Sequence, residues 1–224
     1  MATDTDAGTG RLAAGAGDAT AGRTAAAAEY ASESARSIAD PAPLGLAAFA
    51  LTTFLLSLVN SGLISKGAEP VVFGLALAYG GVGQLLAGMW EFRKGNTFGA
   101  TAFGSYGAFW ISFWALVTFY VKSIPAADAG TAVGWYLVAW GIFTTIMFLG
   151  SLRTTTALVV LFLLLAATFY FLGFGNIGGS AGTIKIGGWL GLITAIVAWY
   201  AALAGVMSST FGRPVLPNPP MRAR

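Results

Sequence analysis

Residues 154–174 read TTTALVVLFLLLAATFYFLGF, and this run of 21 residues contains no charged side chain. A helix needs about 20 predominantly apolar residues to cross the roughly 30 Å of hydrocarbon in a bilayer. The run therefore predicts a transmembrane helix, and it sets the scale for interpreting the rest of the chain.

Five further apolar stretches of comparable length occur along the chain. Charged residues after position 70 fall at the ends of these stretches or between them, and none lies at the middle of a span. The sequence therefore predicts an all-α membrane protein with six transmembrane helices. The six predicted spans are 44–63, 71–90, 97–120, 131–149, 154–174 and 185–207.

The composition points in the same direction. Of the 224 residues, 56% are hydrophobic and 9% are charged, whereas a soluble domain has about 25% charged residues. The chain has no cysteine and no histidine, which excludes disulfides, thiol chemistry, His/Cys metal sites and triads with an imidazole base. We predict no enzyme activity, no cofactor and no metal. The basic residues lie between the apolar runs and do not form a cluster. The expected partner is therefore a lipid bilayer and not a nucleic acid.

Domain organisation and orientation follow from the distribution of charge. Residues 1–43 carry six acids and three arginines and have few large apolar side chains, so they are predicted to be a disordered cytoplasmic tail. Residues 44–210 form the transmembrane domain, and 211–224 a C-terminal cytoplasmic tail. An even number of spans places both termini on one side, together with nine basic residues against three on the other. The positive-inside rule then predicts cytoplasmic termini in the plasma membrane.

A weak internal repeat suggests how the helices are arranged. The segment LGLAAF at 44–49 is similar to FGATAF at 98–103, and Arg93 and Arg153 each close an even-numbered helix. Three helical hairpins around a central pathway would explain this pattern.

Uncharged polar residues inside the spans are the candidates for the wall of that pathway. Phe49, Thr52 or Thr53, and Asn60 share one face of the first helix, and Gln84 lies within the second. An amide in hydrocarbon is costly unless it meets another helix or a water-filled path. Hydroxyls in helices commonly bond to the preceding turn instead, so the threonines also have a purely structural interpretation.

Small residues mark a packing surface on the last helix. Gly187, Gly191 and Ala195 recur every fourth position, and such stripes allow the backbones of two helices to approach closely. We expect this stripe to pack against a neighbouring helix.

Several motifs resemble one family of bacterial, archaeal and fungal membrane proteins. The stretch DPAPLGL at 40–46 is similar to the signature NPAPLGL of the acetate uptake transporter family, also called succinate-acetate permeases. YGG at 79–81, KGNTFG at 94–99 and SYG at 105–107 resemble its most recognisable block. The resemblance covers about residues 40–217. Asp40 departs from the signature asparagine, which it can replace as a helix cap, and Val59 stands where many members have histidine.

The resemblance implies a specific assembly and pathway. Six-helix protomers would form a homo-hexamer with one pathway in each protomer. By motif position, that pathway would be narrowed by Phe49, Tyr106 and Leu165, with Ala198 at the place of a pathway alanine. The implied substrates are acetate and other small monocarboxylates, with succinate as a further candidate.

The predicted function is therefore a membrane transporter or channel for acetate and small monocarboxylates, with net co-movement of protons. Because no charged residue lies at mid-membrane, either the substrate carries its own proton or a proton binds near the ends, at Glu91 or Asp128. The main alternative is a channel for small neutral solutes such as urea or short amides. A purely structural or assembly role is a further alternative, and it would tolerate Gln84→Leu.

Overall fold

The structure is a computed structural model that describes residues 22–30, 33 and 38–221. Within these residues, six helices are long and apolar enough to span a membrane. They confirm the predicted all-α membrane fold with six transmembrane helices. The helices are α1 (Ala42–Ser61), α2 (Lys66–Lys94), α3 (Thr97–Ser123), α4 (Ala126–Ser151), α5 (Thr156–Ile177) and α6 (Ala181–Phe211).

Two of these helices contain irregular turns. A π-helical segment, Ala78–Gly83, interrupts α2, and a second one, Leu116–Tyr120, lies near the end of α3. At the first, the backbone approaches α1 so closely that a Cβ on Gly80 would lie 2.5 Å from the Thr52 hydroxyl oxygen. The extra residue of a π turn rotates the following part of the helix, and such turns are frequent at functional sites.

Helices that are adjacent in the sequence are adjacent in the bundle, and α6 packs against α1 to complete it. The contact between α1 and α6 is close because Gly188 has no side chain where it meets the backbone of Asn60 and Ser61. By contrast, α3 and α4 meet through bulky rings, such as Phe109 against Trp140 with centroids 5.1 Å apart. Aromatic side chains thus separate the backbones of the second predicted hairpin.

The small-residue stripe on α6 packs as the sequence predicts. A Cβ on Gly187 would lie 2.8 Å from the Leu172 side chain of α5, and one on Gly191 would collide with the Ser57 hydroxyl of α1. Ala195 is fully buried. The stripe therefore faces neighbouring helices of the same chain.

Asp40 lies one residue before Pro41, which is the N-cap residue of α1. Its carboxylate accepts a hydrogen bond from the backbone N–H of Ala42 at 3.2 Å, and its Oδ1 lies 2.7 Å from the ammonium nitrogen of Lys94. The carboxylate thus satisfies one free amide in the first turn of α1, as predicted, and links that turn to the end of α2.

The N-terminal tail is described only in part. Residues 22–30 are helical with exposed side chains, in keeping with the high helix propensity of their alanines. Residues 1–21, 31, 32 and 34–37, on which most of the disorder prediction rests, lie outside the described residues. The prediction for 1–43 as a disordered tail stays a prediction.

The C-terminal segment folds back onto the start of α5. The N–H of Met221 donates to the carbonyl oxygen of Thr154 at 2.8 Å, and the side-chain oxygen of Asn218 accepts from the N–H of Ala157 at 3.3 Å. The hydroxyl of Tyr200 donates to the carbonyl oxygen of Pro217 at 2.6 Å. The contact with Asn218 satisfies one of the amides that a helix N-terminus leaves free, and the N–H of Thr156, which donates to the carbonyl oxygen of Pro219 at 3.2 Å, is a second such amide. Residues 217–221 therefore form an ordered strap.

Candidate functional site

A cavity of about 760 Å³, here called the vestibule, enters the bundle from one end. This mouth end carries the α1–α2, α3–α4 and α5–α6 connections, whereas the start of α1 and the end of α6 lie at the opposite end, here called the termini end. All six helices contribute to the wall. The residues that line the mouth include Asn60, Ser65, Lys66, Glu69 and Lys185.

The vestibule closes at an apolar constriction inside the bundle. Phe49 and Leu165 line its inner end, and both also line a void of about 20 Å³ on the other side. Tyr106 lines that void, and its ring centroid lies 6.0 Å from that of Phe49. The structure thus brings together the three residues that the family resemblance selected from α1, α3 and α5. We refer to Phe49, Tyr106 and Leu165 as the constriction.

Tyr106 is the fixed member of the constriction. Its hydroxyl donates to the Thr144 hydroxyl oxygen at 2.9 Å, and the Thr144 hydroxyl donates to the carbonyl oxygen of Trp140 at 2.7 Å. The ring also packs edge-on against Phe143. A buried hydrogen-bond chain and ring packing hold Tyr106 in one orientation. Phe49 and Leu165 have no polar group to anchor them, so adjustment of the opening falls to them.

Gln84 lies beside the constriction, on the side of the termini. It is 1% exposed, follows the π-helical segment of α2 directly, and lines the small void. Its Oε1 has no hydrogen-bond partner among the residues that the structure describes. An unpaired buried acceptor costs about 1–3 kcal/mol, so a hydrogen-bond donor in the void would be stabilised at this position.

The other predicted pathway residues divide into two groups. Thr53 and Asn60 line the vestibule. Thr52 donates its hydroxyl to the carbonyl oxygen of Ala48 at 2.9 Å, and Ala198 is fully buried. In the described part of the chain, neither Thr52 nor Ala198 lines the vestibule or the void. Both occupy packing positions in this structure, which does not support the pathway role predicted for them.

A layer of residues one helical turn above the constriction was not predicted. Thr53, Trp110 and Phe169 each follow a constriction residue by four positions, and all three line the vestibule. Of these, the sequence pattern indicated only Thr53. The fourfold spacing from Tyr106 and Leu165 is the signal that could have identified Trp110 and Phe169.

The charged residues of the vestibule lining lie at its mouth. The charged side chains in the lining, among the residues described, are Lys66, Glu69 and Lys185. Lys122 is exposed at the same end without being part of the lining. Val59, at the position where the resembling family often has histidine, lines the vestibule as an apolar residue. A solute that enters thus meets net positive charge first and an uncharged, largely aromatic wall afterwards.

Of the two acids considered for proton binding, Glu91 is buried and Asp128 is exposed. Glu91 lies near the end of α2 that is remote from the mouth. Its Oε2 accepts from the Asn96 side-chain amide at 2.8 Å, and Asn96 caps α3 by accepting from the N–H of Gly99 at 3.1 Å. Glu91 therefore forms part of a compact polar joint between α2 and α3.

Comparison with known proteins places the chain among membrane transporters. The model of the GPR1/FUN34/yaaH family matches residues 22–222. Acetate permease A of Emericella nidulans is 48% identical over 196 residues, which cover 81% of this chain and 66% of that protein. The succinate-acetate/proton symporter SatP of Escherichia coli K12 is 42% identical over 180 residues, 80% of this chain and 95% of that protein.

A solved structure of the bacterial acetate channel SatP has the same fold. It aligns with a TM-score of 0.76 and 41% identity, and the alignment covers 81% of this chain and 99% of that one. These relatives are named as transporters or as a channel, which agrees with the prediction that the chain is not an enzyme.

Proposed function

The chain belongs to the GPR1/FUN34/yaaH family, and we propose that it is a transporter or channel for acetate and other small monocarboxylates, with succinate as a further substrate. One observation supports this most directly: the vestibule ends at the apolar constriction of Phe49, Tyr106 and Leu165. A narrow apolar ring tends to exclude water and resists a hydrated inorganic ion. It admits a small solute that has an apolar end.

The conduction path has three stages. The acid enters the vestibule past the positively charged mouth. It then meets the constriction, where the side chains of Phe49 and Leu165 must move, since Tyr106 is held by Thr144. Beyond the ring it passes Gln84 toward the end that carries the termini. The structure corresponds to a state that is open to the mouth end and closed at the constriction.

Net proton movement is part of the proposal, and the acid itself is the proton carrier. The charged residues of the vestibule lining are at the mouth, as far as the described chain goes. Glu91, near the end of α2 that is remote from the mouth, is the buried carboxylate of the described spans, and the chain has no histidine, so a relay of such groups across the membrane would lack its other members. A protonated acid also crosses an apolar constriction at lower cost than its anion.

We further propose that both termini are cytoplasmic, that the protein resides in the plasma membrane, and that it forms a homo-hexamer. The orientation rests on the excess of basic residues at the termini end. The vestibule then opens to the outside. Large apolar side chains are exposed on α2 and α6, Trp90 and Trp189 among them, which suits contact with lipid or with other protomers.

A channel for small neutral solutes is the alternative, since urea or a short amide would also pass a lining of hydroxyls and rings. The positive mouth favours an anion over a neutral solute in the capture step. The two functions therefore differ in a measurable preference.

Flux measured in proteoliposomes tests the proposal. Purified protein is reconstituted, and the uptake of labelled acetate and of labelled urea is measured from the label. A pH-sensitive dye inside the vesicles reports the pH of the lumen. We expect saturable acetate uptake with acidification of the lumen, and urea uptake no faster than in protein-free vesicles. Urea uptake without acetate uptake would refute the proposal, and acetate uptake that leaves the lumen unacidified would refute its proton component.

A further inference from the structure

Three large apolar side chains line the void without reaching the vestibule. Leu46, Phe103 and Phe162 belong to the wall of the void of about 20 Å³, and in the described structure none of them lines the vestibule. They are 8%, 8% and 4% exposed. The void is therefore bounded by buried apolar side chains besides those of the constriction.

The three residues form a layer parallel to the constriction. Each precedes a constriction residue by three positions on the same helix, Leu46 on α1, Phe103 on α3 and Phe162 on α5. These helices run from the termini end to the mouth end, and three residues advance a helix by about 4.5 Å. The layer therefore lies almost one turn nearer to the termini end than the constriction. We refer to Leu46, Phe103 and Phe162 as the inner layer.

The space between the two layers is too small for a substrate. A cavity of about 20 Å³ has room for about one water molecule, and even acetate has more heavy atoms than that. A solute that passes the constriction has no room to cross the void while the inner layer keeps this arrangement. We propose that the inner layer is a second gate, in series with the constriction, and that it opens by displacement of the Phe103 ring.

The ring of Phe103 is less anchored than that of Phe162. Phe162 lies between two rings, edge-on to Phe98 with centroids 5.3 Å apart and tilted against Tyr106 at 6.2 Å. Phe103 forms no such ring pair within the part of the chain that the structure describes. Its ring lies against α1 at Gly45, where a Cβ would be 2.6 Å from Cδ1 of the ring. The ring can therefore leave this position without breaking a hydrogen bond or a ring pair.

Two gates in series affect which solutes pass. A narrow apolar layer tends to lose its water, so two such layers present the barrier to a hydrated ion twice. An acid must open both layers, and the narrower opening determines which acids pass. This inference rests on the proposed function, because it adds a selective step to the same pathway.

Thiol labelling tests the inner layer without a transport measurement. The chain has no cysteine, so Ala102→Cys, in the wall of the void, supplies a single thiol between the layers. The probe is 2-sulfonatoethyl methanethiosulfonate, which does not cross a bilayer, and it is applied to right-side-out cells and to inverted vesicles. Arg153→Cys and Lys122→Cys, at exposed positions, identify which preparation presents the termini end and which presents the mouth end.

We expect the thiol of Ala102→Cys to react from the termini end about tenfold or more slowly than that of Arg153→Cys, and Phe103→Ala to remove most of this protection. The matched control is Phe119→Ala, on the same helix with a side chain that is 57% exposed, and it should leave the rate unchanged. Rapid labelling from the termini end with Phe103 present, or slow labelling in a well-folded Phe103→Ala protein, would overturn the second gate. The expected labelling in protein that carries no acetate flux would support the inner layer as a barrier and refute the proposed function.

Flux ratios test whether the two layers act in series. Phe103→Ala alone should change the ratio of lactate flux to acetate flux by less than about twofold, because the constriction still selects, whereas in a Leu165→Ala background it should raise the ratio about threefold or more. Equal ratios in Leu165→Ala and in the double variant, with both proteins monodisperse, would show that the inner layer does not restrict permeation and would exclude it as a gate.

Discussion

Replacing Leu165 by alanine tests the constriction directly. The side chain is 3% exposed and lies between the vestibule and the void. Truncation of a buried leucine to alanine costs about 2–5 kcal/mol of unfolding free energy. We expect the lower part of that range, about 2–3 kcal/mol, because the vestibule and the void leave Leu165 incompletely surrounded by packed neighbours. The variant should therefore fold, with reduced thermal stability.

The effect on transport follows from the volume removed. The change deletes three carbon atoms and connects the void of about 20 Å³ with the vestibule. A single methylene of misfit in an apolar pocket changes selectivity by roughly 10–200-fold. We therefore expect the ratio of lactate flux to acetate flux to rise about tenfold in Leu165→Ala, while acetate flux itself continues.

The assay is paired uptake of labelled lactate and acetate into proteoliposomes, with the fraction of folded protein checked by size-exclusion chromatography. Leu163→Ala is the matched control, because Leu163 lies on the same helix and is 53% exposed. Its flux ratio and its stability should stay close to wild type. A well-folded Leu165→Ala protein with the wild-type flux ratio would refute the position assigned to the constriction.

Three further substitutions test other parts of the structure. Gly191→Leu should abolish folding, because the added side chain collides with Ser57 on α1; recovery of monodisperse, active protein would contradict this contact. Asn218→Ala should lower the unfolding free energy by about 1 kcal/mol by removing a cap from α5, measured as a fall in melting temperature, and an unchanged melting temperature would mean that the strap does not stabilise α5. Lys185→Gln should raise the KM for acetate about twofold at low ionic strength and less at high salt. Lys122→Gln is the control and should leave the KM unchanged. Equal effects of the two variants would exclude a specific contribution of the charge at the mouth to the KM.

The sequence predicted which segments cross the membrane, but it misplaced some of their details. Span 71–90 was predicted for a helix that begins at Lys66 and contains a π-helical segment, Ala78–Gly83. Average hydropathy reports the length of an apolar run and carries no information on how many residues each turn contains. The π segment matters here because Gln84 follows it directly.

Within the candidate site, neighbouring residues with the same chemistry have different positions. Thr52 and Thr53 are equivalent by composition and periodicity, yet Thr53 lines the vestibule and Thr52 packs against Gly80. Consecutive residues point about 100° apart on a helix, and the sequence pattern does not specify that angle relative to a cavity. The hydrogen bond from Tyr106 to Thr144 joins residues 38 positions apart and leaves no local signal.

The sequence by itself determined which segments lie in the lipid bilayer and which lie in water. Apolar length, placement of charge and small-residue spacing are local properties, and a bilayer acts on them one helix at a time. Only the tertiary structure decided where the vestibule lies, since a cavity is the space that six packed helices leave unfilled. That space depends on which faces meet: glycines bring α1 and α6 together, while aromatic rings separate α3 from α4.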